Sequence, residues 1–168
     1  ALPIWMIIGV INIKGGVGKT TSSLAIATAA QRSGLSVTVV DTDPQGSATL
    51  WAQAAEDADD PLPFPVVSRN QAEIRRMRER RPDRNGELIV IDTPPNGSVV
   101  DEAIKTADFV VIPTLSSPID LQQTMLTAAQ CQDAGKDYAV LIVMARKGTN
   151  ALRAFRTAVE EYGAGIFD

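Results

Sequence analysis

The stretch from Met6 to Ser23, MIIGVINIKGGVGKTTSS, limits the folds open to this chain more than any other. Ile7-Ile8-Gly9-Val10-Ile11 is an apolar, β-branched run that reads as a buried parallel strand. It breaks at Lys14-Gly15-Gly16-Val17-Gly18-Lys19-Thr20 and resumes as a helical pattern through Thr21, Ser22, Ser23, Leu24 and Ala27. A strand, a glycine loop and a helix N-terminus in that order make a phosphate cradle. Glycines let backbone N–H groups turn inward, and the helix dipole places partial positive charge where phosphates would sit. In such a cradle Gly15, Gly16, Val17, Gly18 and Thr21 line the phosphates. Lys19 reaches the β/γ-phosphates, and the Thr20 hydroxyl ligates Mg²⁺. A glycine turn that binds nothing is the alternative, and the strand–helix context of the run argues against it.

The rest of the chain alternates strand and helix in the same way. A helix about Thr20 to Ser33 is closed by Gly34, and Ser36–Val40 forms the next strand. Ser47–Glu56 is helical, Asp57–Pro65 is an Asp- and Pro-rich loop, and Pro65–Ser68 is a short strand. Gln71–Arg81 is a charged helix, followed by a strand at Leu88–Ile91 and a helix near Val99–Thr106. Strands at Phe109–Ile112 and Ala139–Met144 flank a helix from Ile119 to about Asp133. A last helix, Ala151–Tyr162, leads into Gly163-Ala164-Gly165. Apolar strands alternating with amphipathic helices specify an α/β fold, a mostly parallel twisted sheet with helices on both faces. Right-handed crossovers then put ligands at the carboxyl ends of the strands.

At 168 residues the chain reads as one domain, 1–168, with Ala1–Trp5 a leader ahead of a natural start at Met6. A net charge of −4 does not advertise nucleic acid, so any such contact needs a local patch. With no histidine, the chain has no His general base, Ser-His-Asp triad or His-ligated metal. A single cysteine, Cys131, forbids an internal disulfide and fits a reducing cytoplasm. No secretory signal or membrane-spanning stretch is evident.

Two aspartates close strands beside the cradle. Asp43 lies in Asp41-Thr42-Asp43-Pro44-Gln45-Gly46, where a carboxylate can order an attacking water or hold water around Mg²⁺. The alternative is that Asp41 and Asp43 cap the next helix or mark the turn before Pro44, which is an even choice for Asp41, while the motif favours the functional role for Asp43. Asp92 ends the Leu88–Ile91 strand, the position from which a carboxylate serves Mg²⁺ in phosphate-loop proteins.

The loop departs from G-x-x-x-x-G-K-[ST], because Ile13 stands where the first glycine belongs and Lys14 opens the loop. With Lys14 ahead of Gly15-Gly16-Val17-Gly18-Lys19-Thr20-Thr21, the sequence resembles the ParA/MinD family of P-loop ATPases with a deviant Walker A motif. Asp41-Thr42-Asp43-Pro44-Gln45-Gly46 resembles the family's switch I, and Asp92-Thr93-Pro94-Pro95 its Walker B and switch II segment. The run from Ser33-Gly34 to Gln45 is most similar to small partition ATPases without an N-terminal DNA-binding domain.

The resemblance implies ATP/ADP and Mg²⁺ as cofactors, with Thr20, Asp43 and Asp92 around the metal. Lys14, Lys19 and Asp43 become the catalytic set. Lys14 acts on the nucleotide of a twin subunit, like an arginine finger, in a homodimer that forms on ATP. It further implies a ParB-like adaptor as partner and the segregation or positioning of DNA or another large cargo. Family members continue with a further strand and helices, so a C-terminal segment is expected to be missing here. With it go basic residues for nonspecific DNA and the membrane-targeting helix of MinD-like members, so no membrane partner is expected.

Arg69, Arg75, Arg76, Arg78, Arg80 and Arg81 form a basic helix that reads as a solvated face, partnered by Glu73 and Glu79, or as a contact for DNA or a partner. Arg146 and Lys147 fall where the family places a base-contacting segment, without the asparagine often found there. Two alternative functions stay open: a nucleotide-dependent interaction module with vestigial hydrolysis, and a biosynthetic P-loop ATPase. A reductase carrying an iron–sulfur cluster is disfavoured, since Cys131 alone cannot hold one.

Overall fold

In the computed structural model, residues 6–79 and 86–167 are described. The expected leader Ala1–Trp5, the arginines Arg80 and Arg81 and the terminal Asp168 lie outside the described residues. Seven strands form one parallel sheet: β1 (Met6–Val10), β2 (Ser36–Asp41), β3 (Val66–Ser68), β4 (Glu87–Asp92), β5 (Phe109–Thr114), β6 (Asp137–Ile142) and β7 (Gly165–Ile166). Among the described residues six helices connect them: α1 (Lys19–Arg32), α2 (Ser47–Asp57), α3 (Gln71–Glu79), α4 (Ser98–Thr106), α5 (Pro118–Asp133) and α6 (Asn150–Glu161). The order across the sheet is β3-β2-β4-β1-β5-β6-β7, with every pairing parallel.

Period-two alternation sends successive strand residues to opposite faces, and both faces are apolar. Ile7, Ile89, Ile91, Val110 and Ile112 pack on Ile74 of α3, Val100 and Ile104 of α4 and Ala128 of α5. Val10, Val37, Val39, Leu88 and Val90 pack on Leu24 and Ala27 of α1 and Ala48 of α2. A smaller cluster seats Phe155 and Val159 of α6 against Val140 and Ala164. Gly9 marks a close approach in β1: a Cβ there would stand 3.0 Å from Ile11 Cδ1 and 3.3 Å from Ala107 Cβ.

β1 lies at the centre, between β4 and β5. From it the chain runs through α1 to β2 on one side, while β5, β6 and β7 build outward on the other. That reversal of direction leaves a crevice at the carboxyl end of β1, where open parallel sheets bind ligands. The loops after β1, β2 and β4 all reach it.

The sheet differs from the sequence expectation at its far edge. β6 spans 137–142 rather than 139–144: Val143 N–H still donates to Thr114 O of β5 (2.8 Å), but Met144 turns into the left-handed region at φ 51° and takes the chain off the sheet. β7 is an addition to the expected elements. Its two residues pair with Ala139 and Val140 and carry no apolar run to announce them. Among the described residues no helix is long and apolar enough to cross a membrane.

Candidate phosphate-binding site

The loop between β1 and α1 is shaped by two left-handed glycines, Gly16 at φ 74° and Gly18 at φ 78°. Gly18 is also the N-cap of α1 and brings no side-chain acceptor, so the first N–H groups of the helix face the crevice uncapped. The start of the loop is pinned from outside. Buried Asn12 donates through Nδ2 to Pro113 O (2.9 Å) and accepts Lys14 N–H on Oδ1 (2.9 Å). Ile13 N–H donates to Thr127 Oγ1 of α5 (3.3 Å).

The two loop lysines have different surroundings. Lys19 is buried and curls back so that Nζ donates to Lys14 O (2.8 Å). Burial lowers its pKa, opposed by the charges of Asp92 and Asp43. Lys14 points the other way and forms an ion pair with Asp120 in the first turn of α5. The Asp120 side chain is only 2% exposed and is locked by a capping box with Ser117. Burial pushes its carboxyl up, but the hydrogen bonds from Lys14 and Ser117 and the Lys14 charge outweigh that and hold it below the usual range.

Asp92, at the end of β4, is fully buried behind the loop. Its Oδ2 accepts from Thr20 Oγ1 (2.7 Å) and its Oδ1 from Ser23 Oγ (3.0 Å). Burial pushes its pKa up to about 6; the two hydroxyls and Lys19 pull the other way, and Asp41 adds to the rise. A hydroxyl and a carboxylate side by side at a phosphate loop are hard oxygen donors of the kind Mg²⁺ takes. Among the described residues no three His, Cys, Asp or Glu side chains group into a protein-only cage. A Mg²⁺ at Thr20 and Asp92 would therefore complete its shell with phosphate oxygens and water, its ordinary habit.

These residues border a cavity of about 550 Å³. It is lined by Gly15, Gly16, Gly18, Lys19, Thr20 and Thr21 of the loop and α1, together with Asp43, Ser47, Trp51, Thr93, Pro95 and Met144. The structure thus gathers most of the expected residues into one crevice. Val17 is buried beneath the loop, and Lys14 is turned towards α5.

The basic helix is tied down elsewhere. Arg75 and Arg78 both reach Glu102 of α4 (3.3 and 3.1 Å), a carboxylate 5% exposed, while Arg69 pairs with Glu73 (3.7 Å). Glu73, expected as an intrahelical partner, instead pairs with Arg69, which precedes α3 rather than belonging to it, and α3 spends Arg75 and Arg78 on α4. On the loop after β6, the cavity is lined by Met144 rather than Arg146 or Lys147.

Sequence reasoning missed Asn12, Ser23, Asp120, Trp51 and Met144. Ser23 sits one turn beyond Thr20, so its place on the same helix face was readable. Ser117-Pro118-Ile119-Asp120 carries the spacing of a capping box, but nothing local says that its aspartate meets a lysine 106 residues away. Trp51 and Met144 gave no signal beyond exposed bulk.

The family described as the CobQ/CobB/MinD/ParA nucleotide binding domain matches residues 8–167. The chain is 30% identical over 167 residues to the maintenance of carboxysome distribution protein A of Halothiobacillus neapolitanus, covering 95% of this chain and 76% of that protein. It is 34% identical over 167 residues to the protein of the same name from Gloeobacter kilaueensis, covering 96% and 74%. Among solved structures, apo McdA from Cyanthece superposes with a TM-score of 0.76 at 16% identity, over 97% of this chain and 84% of that one. At that identity the likeness speaks for the fold.

Proposed function

The chain belongs to the CobQ/CobB/MinD/ParA nucleotide-binding family, and from that premise we propose that it is a ParA-type ATPase that dimerises on ATP and uses slow hydrolysis to position a large cargo. The observation that carries the reading is the crevice itself: an uncapped helix N-terminus, Lys19, Thr20 and Asp43 line it, and buried Asp92 stands behind it, bonded to Thr20.

Each residue then has a task in phosphoryl transfer to water. Backbone N–H groups from Gly15 to Thr21 cradle the phosphates. Lys19 leaves its contact with Lys14 O to stabilise charge on the β/γ oxygens. Thr20 and Asp92 would hold Mg²⁺, which supplies further neutralisation of the phosphate charge when bound. Asp43 orients the attacking water.

Lys14 serves the partner subunit's nucleotide. In a single subunit it is engaged by Asp120, so acting across a dimer means exchanging that carboxylate for phosphate oxygens. The exchange is balanced in kind, one anion for another, which suits a switch that a ligand of modest affinity must throw.

The cargo class follows the relatives, two of which are named for maintaining carboxysome distribution, with DNA segregation as the neighbouring case. A ParB-like adaptor stimulates turnover, and nonspecific DNA serves as the surface along which the dimer is distributed. The test is ATP turnover measured alone, with nonspecific DNA, and with a small ParB-like adaptor. Specific activity that climbs with enzyme concentration and rises again with adaptor supports the reading. Activity independent of concentration, DNA and adaptor refutes it.

A further inference from the structure

Asp41 is the motif carboxylate for which the ATPase reading has no task, and its surroundings are specific. It is fully buried at the end of β2. One carboxylate oxygen, Oδ1, accepts Asp43 N–H (3.1 Å). The other, Oδ2, accepts both Thr49 N–H (2.9 Å) and Thr49 Oγ1 (2.8 Å). A single carboxylate therefore bridges the loop at residue 43 and the first turn of α2 at residue 49.

An ordinary helix cap sits at the N-cap position and serves the first turn alone. Here the N-cap of α2 is Gly46, which offers no side chain. Asp41 does the capping from five residues upstream and ties down the backbone of Asp43 as well. Between those two anchor points the loop closes on itself: Gly46 N–H donates to Asp43 O (2.8 Å) and Gln45 N–H to Asp43 Oδ1 (2.9 Å).

The anchor is itself rigid. Asp41 stands in register with Asp92 across β2 and β4, and Arg69 N–H donates to its carbonyl oxygen (3.0 Å). The next residue locks onto Asp92 as well, Thr42 N–H and Oγ1 both donating to Asp92 O (3.0 and 2.7 Å). Asp43 and Ser47, which line the cavity, project from the segment between these two anchor points, and Trp51, also lining it, follows on α2.

We propose that Asp41 is a positioning residue for hydrolysis, fixing the Asp43 carboxylate at the distance from the phosphate loop at which it orients water. The proposal rests on the ATPase reading. A water-orienting group displaced by an ångström loses about 10²-fold in rate, so a buried bridge that sets its backbone is worth a large factor in turnover and little in nucleotide affinity. An aspartate is needed because the bridge accepts three hydrogen bonds. An asparagine must turn its NH₂ towards Asp43 N–H or Thr49 N–H, setting donor against donor.

The test compares Asp41→Asn and Thr49→Val with the parent protein. Asp41→Asn is expected to lower kcat about 30- to 100-fold with KM within about threefold. Thr49→Val removes one of the three bonds without changing shape, and a fall of about threefold to tenfold is expected. Because Asp41 acts through Asp43, adding Asp41→Asn to Asp43→Asn should cost no further turnover. Losses that multiply, or a lowered Tm with kcat per folded molecule unchanged, overturn the proposal. Amide hydrogen exchange gives an arm independent of hydrolysis: the Asp43 and Thr49 amides should exchange at least tenfold faster in either variant. Unchanged protection overturns the proposal even if the parent protein turns over no ATP, an outcome that would refute the ATPase reading separately.

Discussion

Replacing Asp92 by asparagine should stabilise the magnesium-free protein while destroying its use of magnesium. Burial raises the Asp92 pKa from an ordinary 3.8 to about 6. At about 1.36 kcal/mol per pH unit, holding the carboxylate ionised at pH 7.5 costs the folded state about 3 kcal/mol. Because the folded pKa lies above the unfolded one, the native state carries a proton that the unfolded chain has lost between about pH 4 and 6. Asp92 therefore contributes its full stability below pH 4 and loses it as the pH rises through 6. The Asp92→Asn variant escapes that penalty, which already nets the hydrogen bonds from Thr20 and Ser23 against burial, but its NH₂ set against those hydroxyls costs about 1–2 kcal/mol. The net gain is about 1–2 kcal/mol at pH 7.5, or roughly 2–8 °C in Tm for a chain of this size. Urea and thermal unfolding with a chelator present, at pH 4.5, 6 and 7.5, should show the variant's advantage shrinking as the pH falls. Adding Mg²⁺ and ATP should then stabilise the parent and leave the variant behind. An Asp92→Asn protein less stable than the parent at pH 7.5, or an advantage independent of pH, would show that the carboxylate is not held at a cost.

The other residues of the crevice separate by which step they touch. Lys19→Ala or Thr20→Ala should abolish Mg²⁺-ATP binding by calorimetry with the circular dichroism spectrum retained; unchanged affinity removes the phosphate-cradle assignment. Asp43→Ala should bind ATP within about threefold of the parent and lose turnover, collecting as a nucleotide-bound dimer on a sizing column. If turnover survives within about twofold, Asp43 is a turn residue only. Lys14→Gln should lose about 10³-fold in turnover at nearly unchanged monomer affinity. Mixing it with Asp43→Ala should restore activity in heterodimers, where one site keeps an intact Asp43 facing an intact Lys14; no recovery in proven heterodimers means that Lys14 acts in cis.

What is legible in the sequence is whatever depends on near neighbours. The phosphate loop is a contiguous string whose glycines, lysine and hydroxyl are useful only in that order, so the order alone places Gly15 to Thr21 at the cradle. The central strands are equally clear, because burial on both faces leaves uninterrupted apolar runs such as Leu88–Ile91. The edge is not. β7 is two residues long, and β6 ends early because Met144 takes a left-handed turn, which no local preference of methionine announces. The basic helix misleads in another way. Its charges count as surface in the sequence, yet Arg75 and Arg78 are spent on a buried glutamate 27 and 24 positions on, a pairing that only α3–α4 packing creates.

The same distinction separates the two lysines of the loop. Lys19 is specified by its neighbours: seated on the first turn of α1, it returns to the loop carbonyl at Lys14 and stays close to Asp92 and Asp43. Lys14 is specified by fold. Its backbone is pinned by Asn12, whose own amide is held by β5, and its side chain is held by an aspartate on α5. A lysine kept merely for solvation would need neither. Asn12 sets the direction in which the side chain leaves the loop, away from the cavity its own subunit forms. Asp120 then provides a buried anionic resting place whose carboxylate stays charged because Lys14 and Ser117 both bond it. Under the reading proposed above, a cation turned from its own phosphate site and held on a buried carboxylate is the one that a second subunit's nucleotide would draw out.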